Sequence, residues 1–352
     1  MDERPDQEID VKDVKTLDDI ARLSGFSRST VSRALTGDSM VKASTRERIL
    51  AVANKYRFTG NAIARGMVKG KMPIVMVIAG DYSNYFYGAT VSSIERILFD
   101  KGYLVALCTS DYSARKELAY LKMSAMFKVS AVVLMSAVET DELADEINRL
   151  DCPVISVNRR LNKSRVDMVV QANMESAYLA TDHLIRMGHR NVACLAGIRG
   201  ASTSVERSAG FFKALSDHGI PAKPEVVKYG ELTYESGYNF ANRLISDGMP
   251  YTAVFVANDM MAVGFVKAMQ NAGFHVPKDI SIICFDHSPY LEQLSVQVST
   301  VGCSAAELAT KTAELLIGRL ANPDGKKRTI VLPPSIEVKK SVRRTNARRD
   351  KE

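Results

Sequence analysis

The chain has little that could serve covalent or metal chemistry. Its five cysteines (Cys108, Cys152, Cys194, Cys284 and Cys303) are scattered through 352 residues, with no Cys-x-x-Cys pair. Free thiols in a reducing compartment are the expectation. Residues 1–13 are acidic and carry no apolar run, unlike a secretory leader. No apolar stretch is long enough to cross a bilayer. No Gly-x-Gly-x-x-Gly follows the first apolar strand, and no phosphate-cradling P-loop is present. No Ser/His/Asp or metal-binding set converges: His183, His189, His218, His275 and His287 are spread along the second half of the chain, as expected of structural or surface groups. No leucine heptad follows Val342, which favours a dimer over a tetramer. These absences predict a cytoplasmic protein that is not an enzyme, has no cofactor or metal and does not associate with a membrane.

What is present is unevenly distributed. The net charge is +7, and from Lys15 to Lys71 twelve Lys and Arg stand against four Asp and Glu. Such a concentration suits phosphates. In the same region Thr16 can cap a helix whose apolar face is Leu17, Ile20, Ala21 and Leu23. Gly25 breaks that pattern, and Ser27 can cap a second helix with Val31, Ala34 and Leu35 inward. Its outer side carries Arg28, Ser29, Ser32 and Arg33, hydroxyls and guanidiniums that fit a DNA major groove. A third amphipathic helix over 45–56 buries Ile49, Val52, Ala53 and Tyr56. A second basic run, Lys339-Lys340 through Arg348-Arg349, reads as a solvated tail over 339–352.

From residue 73 onward the pattern alternates between apolar strands and amphipathic helices. Strands are expected over 74–78, 103–108, 131–135 and 154–157, with helices over 87–101, 115–127 and 141–150 between them. The alternation resumes with helices over 174–187, 204–218, 236–247 and 260–272, and strands over 191–195, 225–228, 253–256 and 280–284. This is the signature of doubly wound parallel α/β sheets. Two such lobes with a cleft between them resemble periplasmic sugar-binding proteins, with ligand at the carboxyl ends of the strands.

Several motifs make the resemblance specific. Ser27-x-x-Thr30-Val31-Ser32-Arg33 is followed by the third helix and then by Asn61-Ala62-x-Ala64-Arg65. Gly188-His189-Arg190, Glu206-Arg207-Ser208, Ala257-Asn258-Asp259-Met260 and Val276-Pro277-Lys278-Asp279 lie in the body. Together they resemble the LacI/GalR family of bacterial transcription regulators. The resemblance implies a disordered extension over 1–13, a small all-α helix-turn-helix headpiece over 14–59, and a hinge helix and linker over 60–72. An α/β effector-binding and dimerisation core follows over 73–338. Lobe one would be about 73–170 and 303–328, and lobe two about 171–302 and 329–338.

The resemblance also assigns residues. Arg28, Ser29 and Arg33 would read bases, Thr16, Thr30 and Ser32 would set register on the phosphates, and Ser27 would lie with them against the DNA. Asn61, Ala64 and Met67 would sit in the minor groove, with Met67 in place of the family's wedging leucine. Gly60 and Gly66 lower helix propensity there, which predicts a hinge that is costly to order. Lys42 stands where relatives carry a serine cap, so Ser44 is expected to cap a shortened third helix. Asp259 is expected to cap the helix after it. The effector pocket would be lined by Tyr85, Phe86, Asn158, Arg207, Leu232, Asn258 and Asp286, a set suited to a polyol. Leu232 replaces the usual aromatic, Ala172 an aspartate, and Gly302-Cys303 a basic-Gln pair, departures that leave a sugar acid, a sugar phosphate or a nucleoside open as the effector. The implied function is a homodimer on a near-palindromic double-stranded operator, expected to repress and controlled by a sugar-like effector. The rival is a solute-binding protein of a sugar transporter.

Overall fold

The computed structural model describes residues 14, 16–35, 38–56, 58 and 71–345. They divide into two compact units, Met1–Met72 and Pro73–Glu352. The hinge assignments Asn61, Ala64 and Met67, the extension over 1–13 and the last residues of the tail lie outside the described residues.

The first unit is three short helices, α1 (Leu17–Ser24), α2 (Arg28–Leu35) and α3 (Ala43–Lys55). Helices this short depend on their ends and their shared core. Thr16 and Asp19 form a capping box: Asp19 N–H donates to Thr16 Oγ1 at 3.2 Å, and Thr16 N–H to Asp19 Oδ2 at 2.9 Å. Gly25 closes α1 at φ 73° with its N–H on Ala21 O, a conformation that favours glycine. Ile20, Val31, Ala34, Val41, Ile49 and Ala53 form the small core. The expected cap at Ser44 is corrected. α3 begins at Ala43 with Lys42 at the cap position, and no side chain bonds the free N–H groups there.

The second unit holds two six-stranded sheets. Lobe one contains β1 (Met72–Ala79), α4 (Tyr85–Phe99), β2 (Leu104–Thr109), α5 (Ala114–Met126), β3 (Val129–Leu134), α6 (Asp141–Arg149), β4 (Val154–Val157) and β5 (Asp167–Gln171). Lobe two follows with α7 (Asn173–Arg186), β6 (Val192–Ala196), α8 (Ser202–Asp217), β7 (Val227–Tyr229), α9 (Tyr234–Ser246), β8 (Ala253–Val256), α10 (Asp259–Asn271), β9 (Ser281–Phe285) and β10 (Ser299–Gly302). The chain then gives α11 (Ala305–Ala321), β11 (Thr329–Leu332) and β12 (Ser335–Glu337). The sheet orders are β11-β5-β4-β3-β1-β2 and β12-β10-β9-β8-β6-β7.

Helices cover both faces of each sheet, so the central strands read as unbroken apolar runs. In lobe one, α4 and α11 bury Ile94, Leu98, Leu308 and Leu316 on one face, while α5 and α6 bury Leu121, Leu143 and Ile147 on the other. In lobe two, α9 and α10 share one cluster, and α7 and α8 the other. The α7–α8 crossing is close enough to demand Gly210, whose missing Cβ would lie 2.0 Å from Met174 O.

Three expectations are corrected. Residues 329–332, placed in lobe two from the sequence, are the parallel partner of β5 in lobe one, and only β12 crosses to pair with β10. The strand at 167–171 was not expected, because Asp and Gln at its ends disfavour a strand. The tail is not solvated as far as Thr345. The Ser341 hydroxyl donates to Ile282 O and accepts from Ser299 N–H at 2.7 Å, and Thr345 N–H reaches Met187 O.

Asp167 is buried because Arg319 of α11 grips it with Nε at 2.7 Å and Nη2 at 2.8 Å. The same guanidinium donates to Pro323 O, Gly325 O and Lys326 O, which fixes the loop leading into β11. Asp167→Ala would strand this buried cation. It is expected to lower core stability by about 3–5 kcal/mol in urea unfolding; a loss below about 1 kcal/mol would show that the carbonyls alone satisfy Arg319.

Candidate functional site

In the headpiece the N-terminal end of α2 is a polar, exposed surface. Ser27 Oγ accepts from Thr30 N–H at 3.2 Å and lies 2.9 Å from Ser29 Oγ and 2.8 Å from Thr30 Oγ1. Ser27 therefore caps α2 as its type predicted, and the cap aligns three hydroxyls. Arg28 and Arg33 are exposed, and Ser32 is half-buried. Arg28 Nε lies 3.6 Å from Asp18 Oδ1, with both side chains largely in solvent. Such a pair is worth about 0–1 kcal/mol, so a stronger acceptor can displace it. Thr16 spends its hydroxyl on the capping box, bonding Asp19 Oδ2 at 2.7 Å.

In the second unit one cavity collects residues from strand ends and helix starts in both lobes. Asn84, Phe86, Tyr87, Asn158 and Arg159 come from lobe one. Gly197, Thr203, Ser204, Arg207, Leu232, Asn258 and Asp286 come from lobe two. Six of the seven residues assigned from the sequence are thus brought together. Tyr85 is not among them. It lies half-buried, with its ring edge-on to Tyr290 at 5.8 Å, because the first turn of α4 aims Phe86 and Tyr87 inward instead.

Asn158, Leu232 and Asp286 hold φ values of 61°, 63° and 72°. Three non-glycine residues in left-handed backbone at one cavity mark stored strain, the kind that clusters at ligand sites. The amide of Asn258 is already committed. Its oxygen caps α10 by accepting from Met261 N–H at 3.1 Å, and its nitrogen donates to Leu232 O at 3.0 Å. This corrects the cap expected at Asp259, which takes Met260 N–H instead. Asn158 Oδ1 accepts from Gln171 Nε2 at 3.3 Å.

Arg207 lies over the Phe285 ring, its Cζ 3.4 Å from the centroid, with Nε on Asn173 Oδ1 at 3.0 Å and Nη1 on Ala257 O. Burial pulls its pKa down to about 10, against the pull of Asp286. Asp286 is pushed up to about 7, first by burial, with Arg207 opposing and Asp259 adding to the rise. Its Oδ1 has no hydrogen-bond partner.

The two lobes are tied beside the cavity. Arg159 Nη1 donates to Thr203 Oγ1, Arg160 N–H to Ser202 Oγ at 2.9 Å, and Arg160 Nε to Glu206 Oε1 at 2.6 Å. The cavity so enclosed is about 20 Å³, room for a water but not for a sugar. The sequence reading missed Asn84, Tyr87, Arg159, Gly197, Thr203 and Ser204. Arg159 had a signal, a charged pair Arg159-Arg160 directly after an apolar strand. Gly197 and Ser204 had none. Among the described residues no cluster could hold a metal ion, and no helix is long and apolar enough to cross a membrane.

Residues 16–61 match the bacterial regulatory proteins of the lacI family, and residues 181–342 match the periplasmic binding protein-like domain. The chain is 28% identical over 332 residues to the HTH-type transcriptional repressor PurR of Vibrio atlanticus (strain LGP32), covering 94% of this chain and 99% of that one. It is 29% identical over 331 residues to the HTH-type transcriptional regulator DegA of Bacillus subtilis (strain 168), covering 93% and 98%. Among solved structures it is similar to a transcriptional regulator CelR–cellobiose complex, with a TM-score of 0.71, 26% identity, and 93% and 99% coverage. A Lac repressor dimer bound to operator and the anti-inducer ONPF shares the fold, with a TM-score of 0.82 at 21% identity over 93% and 99% of the two chains.

A helix-turn-helix unit followed by two α/β lobes, in a chain whose relatives are transcriptional regulators, defines a DNA-binding regulator rather than an enzyme. The chain belongs to the LacI family of bacterial transcriptional regulators.

The shifted carboxyl generates a prediction. Because the folded pKa of Asp286 lies above its unfolded value, the folded chain keeps a proton that the unfolded chain has released. Its contribution to stability therefore falls as pH rises from near 3.8 to about 7, and stays low above that. Asp286→Asn should flatten this part of the melting-temperature profile and gain on the wild type toward pH 8. Unchanged slopes in the two profiles would show that Asp286 is ionised throughout.

Proposed function

We propose that this regulator is a repressor that acts as a homodimer in the cytoplasm, each headpiece reading one half of a near-palindromic operator. A small sugar-like effector in the interlobe cavity would control it. The observation that carries the DNA reading is the exposed start of α2, where Arg28 stands among three aligned hydroxyls with only a weak solvent-exposed carboxylate to hold it. Arg28 suits a guanine edge through two hydrogen bonds, while Ser29 is short and contributes less. Arg33 is the further base reader. Thr16, Ser27, Thr30 and Ser32 position the backbone, with Thr16 doing so from within its cap. Asn61 and Ala64 belong to the hinge that enters the minor groove, and Met67 is its wedge.

Lobe one supports the dimer. Its edge strand β2 exposes Leu104 and Leu107, and α4 and α5 expose Phe99, Met123 and Met126. Apolar patches of this kind mark association surfaces. For the effector, Phe86, Asn158, Arg207, Leu232, Asn258 and Asp286 combine a ring face with donors and acceptors. Asn258 contributes chiefly by shaping the wall, since its amide is engaged.

Binding-site selection from randomised duplexes, repeated with Arg28→Ala, tests the reading. The wild type should select a two-fold symmetric sequence. The variant should lose about 1–3 kcal/mol of discrimination at one symmetric pair of G·C positions and keep the rest. A selected sequence without symmetry, or preference unchanged by Arg28→Ala, would overturn it.

A further inference from the structure

Two buried guanidiniums face the cavity, and every hydrogen bond that either makes among the described residues ends on a neutral oxygen. Arg159 is 2% exposed. Its Nε reaches Ser136 O at 3.4 Å, its Nη1 reaches Thr203 Oγ1, and its Nη2 is buried with no partner. Arg207 reaches Asn173 Oδ1 and Ala257 O. Elsewhere the chain treats buried arginine differently. Arg319 is closed by Asp167, and the half-buried Arg160 by Glu206. A buried cation without a counter-charge is costly, and such groups gather where a ligand completes them.

Among the described residues no carboxylate accepts a hydrogen bond from either guanidinium. Glu117 accepts from the Ser110 and Ser136 hydroxyls at 3.2 and 2.8 Å, and Asp259 accepts from Met260 N–H. Burial pushes both up, as it does Asp286, while the Arg159 charge opposes the rise at Glu117 and the Arg207 and Arg159 charges oppose it at Asp286. The Asp286 carboxyl also presents an unpartnered oxygen that can donate when protonated. A planar guanidinium fork with a free edge matches a carboxylate or phosphate better than a neutral hydroxyl.

We propose that the effector bears an oxyanion, a carboxylate or phosphate carried on a polyol, and that Arg159 is the lobe-one residue that receives it. This rests on the interlobe cavity being the effector site. Arg159 sits at the carboxyl end of β4, opposite Arg207 on α8, so a single oxyanion there engages one cation from each lobe. The polyol part is left to Asp286, Asn158 and the Phe86 ring.

The test uses the purified full chain and five probes: glucose, glucuronate, gluconate, glucose 6-phosphate and inorganic phosphate alone. Thermal unfolding should rise with one or more anionic probes and not with glucose. Glucuronate or gluconate against glucose 6-phosphate distinguishes a carboxylate from a phosphate. Titration calorimetry with the active probe should show about a 30-fold loss of affinity for Arg159→Gln. Arg159→Lys, which keeps the charge and loses the fork, should fall between it and the wild type. Stabilisation by glucose equal to that by its acid, affinity unchanged in Arg159→Gln, or no response to any anionic probe would overturn the oxyanion. In the first two cases the effector site itself would stand. Stabilisation that survives Arg207→Ala would place binding elsewhere and overturn the effector site.

Discussion

The chain passes between the lobes at three places, and hydrogen bonds centred on the buried Gln171 and its neighbour Ala172 hold them in register. Gln171, at the end of β5, accepts from Cys303 N–H at 2.9 Å through Oε1 and donates to Asn158 Oδ1 at 3.3 Å through Nε2. Beside it Ala172 N–H reaches Leu332 O, and the Ser335 hydroxyl donates to Gly302 O. Gly302 has φ 131°, and a Cβ there would lie 3.1 Å from Gln171 Oε1 and from the Phe285 ring. This accounts for the glycine at 302. The crossover needs a residue with no side chain, because the Gln171 amide occupies that space. The same amide orients Asn158 in the cavity, so the geometry of the crossings and that of the effector site are one problem.

Charge inside the core is handled in two ways, and the difference separates framework from function. Arg319 and Asp167 satisfy each other and the loop around them, so that pair fixes a strand edge and answers to nothing outside. Arg159 and Asp286 are equally buried but each keeps an unpartnered atom, and with Arg207 they line a cavity that holds three residues, Asp286 among them, at positive φ. Desolvation without full compensation and strained backbone both oppose folding. Their concentration in one cavity is a departure from the local consistency seen elsewhere in the fold.

Much of this was legible in the sequence, for physical reasons. Strands buried on both faces are apolar runs, and short helices declare themselves through caps, so the elements recognised from the sequence fall within about two residues of their observed bounds. The errors follow from the same rule. The helices expected from 87, 236 and 260 begin one or two residues earlier, because the side chains of Asn84, Thr233 and Asn258 cap them there. The strand β5 was hidden because its ends, Asp167 and Gln171, are polar for tertiary reasons, one to meet Arg319 and one to tie the crossings. The assignment of 329–332 to lobe two failed because nothing local to a strand says which sheet it joins. Pro333-Pro334 marks the true crossing, since neither residue has an N–H to give to a ladder. Among the residues assigned to the pocket by motif, all but Tyr85 line the cavity, while Arg159 and Thr203 are defined by a contact between lobes that no local pattern encodes.

That contact also constrains how a ligand can act. With a cavity of about 20 Å³, nothing of sugar size enters until the lobes part at Arg159–Thr203 and Arg160–Glu206. A ligand shifts a conformational equilibrium only by its difference in affinity between the two states. One that fits only a wider cleft must therefore offset the loss of these ties, including the 2.6 Å charge-assisted bond to Glu206, itself held by Asn173 Nδ2 at 2.9 Å. Asn173 also accepts from Arg207, so opening the Arg160 side loosens the partner that orients Arg207. The network makes the residue that meets the ligand and the residues that keep the lobes together parts of one chain of hydrogen bonds. A ligand that replaces the Thr203 bond at Arg159 with a charged one gains where the protein alone is weakest, and this favours the liganded arrangement.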